Sequence, residues 1–205
     1  MKESKILKSN EINFESFNKD LKNGAVVCFL TDTVWGLGCS PESREGIEKI
    51  YEIKGRDRTK PLILMSNSIE YLKKYVKMIP PKAQMAIEKY FPGALTVILK
   101  KSDYCIGQIT SNMDTVGIRV PDCNIFANLC NLNETHVFAT TSANKSGETP
   151  VKDFREAKEK FSFFADYIID DKGQKPKGNA STVAYFSEEG EIKILRQGEI
   201  YLDNL

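Results

Sequence analysis

The chain has 205 residues, 41% of them apolar and 28% charged, with 29 basic side chains against 28 acidic ones. That length suits one globular domain, taken as residues 1–205, and an apolar content this high excludes a chain disordered throughout. A net charge of +1 argues against a general nucleic-acid binder, which carries a strongly basic domain.

The longest uncharged apolar runs, such as Ala25 to Leu30 and Leu95 to Leu99, fall far short of the roughly 18 residues that a membrane-spanning helix needs. The N-terminus has lysines but no continuous apolar segment and no small-residue cleavage site, so a cytoplasmic chain with no membrane contact is expected. Five cysteines form no Cys-x-x-Cys pair, and with a single histidine neither a zinc site of the usual Cys and His composition nor a His-Glu-x-x-His site can be built. Reduced, structural thiols are expected.

In chain order, Asn13 to Asn23 places Phe14, Phe17 and Leu21 at helical offsets, with Gly24 as a stop. A strand, Ala25 to Leu30, follows. Ser40 is then read as the cap of a helix with Pro41 at its first position and Ile47, Ile50 and Ile53 on one face, ending near Gly55. The apolar strand from Leu62 to Met65 precedes helical patterns at Ser68 to Val76 and Pro81 to Tyr90. Strands are expected at Ala94 to Lys100, Thr115 to Val120 and His136 to Thr140, with short helices at Ile125 to Leu129 and Phe154 to Phe161. Three strands close the chain: Tyr167 to Ile169, Ser181 to Phe186 and Ile192 to Leu195. Strands alternating with helices, and apolar on both faces, predict an α/β domain with a mostly buried sheet; the run of closing strands predicts an antiparallel end and hence a mixed sheet.

Three segments carry chemistry. Lys54-Gly-Arg-Asp-Arg-Thr-Lys60 concentrates four cations against one carboxylate between a helix and a strand; Lys and Arg together supply the point charge and planar fork that a polyphosphate uses, and a solvated charge run is the alternative. Thr31-Asp-Thr-Val-Trp-Gly-Leu-Gly38 sets hydroxyls and two glycines after a buried strand, where open α/β sheets bind ligands; an ordinary strand-to-helix turn with Trp35 in the core is the alternative. Thr140-Thr-Ser-Ala-Asn-Lys-Ser-Gly147 offers several donors for phosphate or ribose oxygens, or is a plain polar turn. Arg119 and Arg196, on apolar strands, are expected to be half buried with an anionic partner that is either a protein carboxylate or a ligand. No Walker-type loop or complete dinucleotide fingerprint occurs.

Taken in order, TDTVWGLG, KGRDRTKPL, FPGALTVIL, TVGIRVP, TTSANKSG, ASTV and ILRQG resemble the YrdC/TsaC family, the threonylcarbamoyl-AMP synthases, from about residue 24 to 198. The resemblance implies a twisted mixed α/β sheet flanked by helices around a concave basic cavity. It implies an enzyme that joins L-threonine, bicarbonate and ATP into threonylcarbamoyl-AMP, releasing pyrophosphate, for the threonylcarbamoyladenosine modification of tRNA. By the same resemblance Lys54 and Arg56 face phosphates as the catalytic pair, Thr33, Arg119, Thr140 and Ser181 hold L-threonine, and Thr115, Ser142, Asn144, Pro150 and Arg196 hold ATP with Lys54 and Arg56. Trp35, Asp32 and Met65 depart from the family's usual tyrosine, glutamate and histidine.

Magnesium is expected with ATP, without a protein cage. The chain resembles the short form, so separate proteins are expected to transfer the threonylcarbamoyl group to tRNA, with weak tRNA binding by this chain as a further option. An RNA-binding module and a carbamoyl-transfer domain of hydrogenase maturation are the competing readings; near-neutral charge and the lack of zinc-finger cysteines stand against them. His136, with no triad pattern around it, is read as structural. His136→Gln is expected to keep most adenylate-forming activity, and a loss beyond ~100-fold, the scale of a missing general acid or base, contradicts that reading.

Overall fold

The computed structural model describes residues 3–8, 11–170 and 172–203. A short first strand, β1 (Lys5–Leu7), precedes helix α1 (Phe14–Lys22). Asn13 caps α1 by accepting from the Ser16 N–H at 3.0 Å, and Phe17 and Leu21 turn inward while Phe14 stays exposed. Strand β2 (Val27–Phe29) is wholly buried and turns back through residues 31–35 into β3 (Gly36–Cys39).

Strand β3 departs from the expected loop, because two glycines in four residues argue against a strand. Phe29 explains them. A Cβ at Gly36 or Gly38 would stand 2.9 or 2.8 Å from the Phe29 ring, so the glycines leave a trough in which that ring lies against Phe126 and Phe138. Helix α2 (Arg44–Lys54) begins three residues later than Ser40 implies. Ser40 closes a turn instead, accepting from the Glu42 N–H on its hydroxyl and the Ser43 N–H on its carbonyl, and Ser43 caps the helix by accepting from Gly46 N–H at 3.2 Å. Gly55, at φ 53°, ends it in the left-handed region.

Strand β4 (Ile63–Ser66) follows, then α3 (Ile69–Leu72), which tightens into a single 3₁₀ turn over Lys73–Tyr75. After α4 (Pro81–Tyr90) come β5 (Leu95–Lys100), β6 (Thr115–Arg119), α5 (Asn124–Asn131), β7 (Val137–Ser142), α6 (Phe154–Phe161), β8 (Tyr167–Ile169), β9 (Thr182–Phe186) and β10 (Ile192–Arg196). The described strands form one ten-stranded sheet in the order β1-β8-β2-β3-β7-β4-β6-β5-β9-β10.

The sheet is mixed, though not for the expected reason. Strand β8 runs parallel to β1 and β2, and β9 runs parallel to β5; only β9 and β10 form an antiparallel hairpin at the end of the chain. The segment between β8 and β9 carries the chain from one half of the sheet to the other. It crosses beside the β2–β3 turn, donating from Lys177 N–H to Asp32 O at 3.0 Å and from Gly178 N–H to Thr33 O at 2.9 Å. Strand β10 is an outer strand and exposes Ile194 and Leu195, unlike the fully buried β2 and β8. His136 opens β7 at φ 54° with its ring stacked on Tyr71 at 4.2 Å, in agreement with a structural role.

The Phe29 trough makes a stability prediction. Gly38→Ala pushes a methyl against the Phe29 ring and to 3.2 Å from Thr140 Cγ2, so overpacking is expected to cost about 1–3 kcal/mol. Urea unfolding of the variant measures it; an unchanged midpoint contradicts the packing account.

Candidate active site

A cavity of about 390 Å³ opens where the β2–β3 turn, the start of β4, the end of β6, the end of β7 and the segment before β9 meet. It gathers residues far apart in the chain: Thr33, Arg56, Arg119, Thr140, Ser142, Asn144, Pro150, Ser181 and Arg196 all line it. Nine of the eleven residues expected at the site are therefore together. Thr115 is not among them. It lies at the opposite end of β6 from Arg119, paired with Lys100, and lines a smaller hollow bounded by Glu188 and Glu189. The spacing of a strand separates these two residues by roughly 13 Å, too far for one ligand group to use both.

Arg119 is the most deeply committed cation. It is 2% exposed, and donates from Nη2 to Asp32 Oδ1 at 2.5 Å, from Nη1 to Thr33 Oγ1 at 2.8 Å and from Nε to Gly93 O at 2.9 Å. A guanidinium carries five N–H groups, so these three bonds leave two over, and Arg119 lines the cavity. The acid partner expected for Arg119 is thus a protein carboxylate, Asp32, itself buried. Burial pulls the Arg119 guanidinium below its ordinary range; Asp32 opposes that and nearby Arg196 reinforces it. Two like charges close enough to disturb one another make this end of the cavity receptive to an anion.

Arg196 is more exposed than expected and finds no acid in these contacts. It donates from Nε to Ser181 O at 3.0 Å and from Nη2 to Ser181 Oγ at 3.1 Å, and Ser181 Oγ also meets Thr96 Oγ1 at 2.9 Å. Arg56, half buried, donates to the carbonyls of Lys60 and Pro61, both at 3.2 Å. Carbonyls and hydroxyls orient a guanidinium without cancelling its charge. Partial burial lowers both arginines from their usual range.

Lys54 stands apart from the expected pair. It is 1% exposed and does not line the cavity; its Nζ donates to Ser142 O at 2.5 Å, Asn144 O at 2.7 Å and Asn144 Oδ1 at 3.1 Å. An ammonium has three protons, and all three have protein acceptors. Burial, with Arg56 adding to it, lowers Lys54 to about 7. The structure thus sets the Lys54 ammonium against the loop after β7 rather than on the cavity lining with Arg56.

Several lining residues escape a reading by motif. Thr96 is one hydroxyl inside an apolar strand, and Glu148 lies one position beyond the polar loop that ends at Gly147. Met65, 8% exposed, forms part of the apolar wall with Ile63 and Pro61. Trp35 does both things considered for it: it is fully buried beside Phe154 and also contributes to the wall. Among the described residues no group of three or more His, Cys, Asp or Glu side chains could hold a metal ion, and no helix is long and apolar enough to cross a membrane.

Fold and site together define an α/β protein whose mixed sheet supports a cavity lined by three arginines and a set of hydroxyls. The Sua5_yciO_yrdC family model, described as telomere recombination, matches residues 19–198, and the chain belongs to this family. It is 35% identical over 185 residues to a threonylcarbamoyl-AMP synthase of Pyrococcus abyssi, an alignment covering 90% of this chain and 54% of that protein. Among solved structures, P. abyssi Sua5 complexed with L-threonine superposes with a TM-score of 0.84 at 32% identity, over 97% of this chain and 57% of that one. E. coli YciO shares the fold over 99% of this chain and 98% of its own, with a TM-score of 0.81 at 22% identity. The chain thus spans little more than half the length of the P. abyssi relative.

The buried Asp32–Arg119 pair gives a direct prediction. Asp32→Ala strands a guanidinium that is 2% exposed, and losing one partner of a buried pair costs about 3–5 kcal/mol. Chemical denaturation is expected to show that loss, whereas a cost below ~1 kcal/mol, the range of surface pairs, contradicts it.

Proposed function

We propose that the chain is an L-threonylcarbamoyladenylate synthase, a nucleotidyltransferase. In the proposed reaction the threonine amine adds to carbon dioxide drawn from bicarbonate, losing a proton and forming a carbamate. A carbamate oxygen then attacks the α-phosphorus of ATP, the bond to the β-phosphate oxygen breaks, and pyrophosphate departs. The product is threonylcarbamoyl-AMP for the modification of tRNA.

The observation that carries this reading is the convergence of Arg56, Arg119 and Arg196 on one cavity from three distant segments. Both reactants are anions, and bringing a carbamate up to a triphosphate requires fixed positive charge that is already oriented. Arg119, steadied by Asp32, keeps two N–H groups for the threonine carboxylate, with Thr33, Thr140 and Ser181 around the remaining polar atoms. Arg56, Arg196, Ser142, Asn144 and Pro150 take the nucleotide. The P. abyssi complex with L-threonine supports an amino acid as one ligand of such a cavity. Thr115 falls outside this assignment, and Lys54 enters it without direct contact.

Magnesium fits the cavity as an ion carried in by phosphate rather than caged by protein. Glu148, the carboxylate of the cavity lining, would have to turn from Lys160, which lies 3.8 Å from its Oε2, to hold the ion, and the bound ion would offset phosphate charge. We further propose that separate proteins transfer the threonylcarbamoyl group to tRNA and that the chain acts in the cytoplasm.

Incubation with ATP, L-threonine and bicarbonate, followed by mass spectrometry for the mixed anhydride, tests the activity, with each substrate omitted in turn as control. Absence of the anhydride from the complete mixture overturns the proposal. Arg56→Ala is expected to lose ~30 to 1,000-fold in turnover, equivalent to about 2–4 kcal/mol for a charge-assisted contact. Near-normal turnover removes Arg56 from the phosphate site.

A further inference from the structure

The C-terminus of α2 and the loop after β7 hold one another in both directions. The Lys54 side chain donates three hydrogen bonds to Ser142 O, Asn144 O and Asn144 Oδ1, while the Lys54 carbonyl accepts from Ser146 N–H at 2.9 Å. Asn144 spreads the grip further along the loop, donating from Nδ2 to Lys145 O at 2.8 Å and to Glu148 O at 2.9 Å. Ser142 Oγ donates to Asn144 Oδ1 at 2.5 Å, so the amide oxygen that faces Lys54 also fixes the Ser142 hydroxyl. Two further main-chain bonds close the loop on its neighbours: Ala143 N–H to Trp35 O at 2.8 Å and Val151 N–H to Ala143 O at 3.0 Å.

We infer that Lys54 is a positioning residue, whose buried ammonium sets the loop from Ser142 to Glu148 against the cavity and so acts on the bound nucleotide through Ser142 and Asn144. Three arguments carry the inference. All three protons are already placed on protein oxygens, so a phosphate could be reached only by giving one up. The side chain is 1% exposed and outside the cavity lining, whereas Ser142, Asn144 and Glu148 lie in it. An ammonium among carbonyl oxygens is also the arrangement that makes a buried lysine tolerable, since each acceptor offsets part of the lost hydration. Arg56, two residues further on, faces the cavity from the same helix end. The short segment therefore divides its work: Lys54 fixes the wall and Arg56 meets the ligand.

The inference rests on the nucleotide reading only for its consequence in catalysis, and its first test needs no ligand. In Lys54→Met, a near-isosteric side chain without donors, amide hydrogen exchange of the ligand-free protein is expected to show at least ~10-fold lower protection at Ser146 and Val151. Protection across β5 and β6 is expected to stay as in the unmutated chain. Unchanged protection at Ser146 overturns the inference, whatever the activity.

A second measurement uses the unmutated protein and so does not depend on the variant folding. At about pH 6, below the lowered Lys54 value of about 7, the Lys54 Nζ resonance in a ¹⁵N-lysine-labelled sample is expected to show a slowly exchanging ammonium without ligand and to keep its shift when inorganic tripolyphosphate saturates the cavity. A resonance that becomes protected only with tripolyphosphate identifies a phosphate contact and overturns the inference. If the mixed anhydride forms, Lys54→Met is expected to raise the KM for ATP by roughly 10-fold while kcat falls less, as for a displaced binding loop. A kcat loss with unchanged KM overturns the positioning role.

Discussion

The rest of the site depends on one constraint: cations placed where water cannot fully hydrate them must be held by the protein and still be left wanting an anion. Arg119 meets it with a carboxylate, a hydroxyl and a carbonyl on three of its five protons. Arg196 and Arg56 meet it with neutral acceptors, which fix their direction and leave their charge in place. Lys54 lies at the other limit, with every proton satisfied inside the protein. Four cations that look alike in a string of letters therefore fall into different electrostatic roles.

The sheet is what brings them together. Arg119 ends β6, Ser142 ends β7 and Arg196 ends β10, and the sheet order puts β7, β4 and β6 side by side with β9 and β10 beyond β5. Arg56 reaches the same place because α2 stops at Gly55, whose left-handed conformation turns the chain back sharply after Lys54. A side chain at Gly55 would strain that turn, although no neighbour stands in the way of it.

Much of this was legible from residue order, and the exceptions have physical causes. Helices α1 and α6 announce themselves by apolar residues at helical spacing and α4 by the proline at its first position, and the apolar β2 and largely apolar β5 by composition. Strand β3 was hidden because its glycines are explained only by a ring on the neighbouring strand, a partner that strand propensity does not include. The parallel pairing of β8 with β2 and of β9 with β5 was hidden because a list of adjacent strands says nothing of where a long crossing takes the chain. Within the site, the structure gathers nine of the motif residues on one cavity. Motifs do not report which way a side chain points or which end of a strand faces the cavity, and the structure sets Lys54 behind the wall and Thr115 at the far end of β6.

The crossing between β8 and β9 meets the β2–β3 turn through main-chain bonds, from Lys177 N–H and Gly178 N–H to the carbonyls of Asp32 and Thr33. Such a seam is indifferent to side-chain identity. Evolution can rewrite the outward face of this segment, where Lys172 and Lys175 are exposed, while the β2–β3 turn beneath keeps its shape. Innovation at the rim and conservatism in the chemistry are thereby uncoupled.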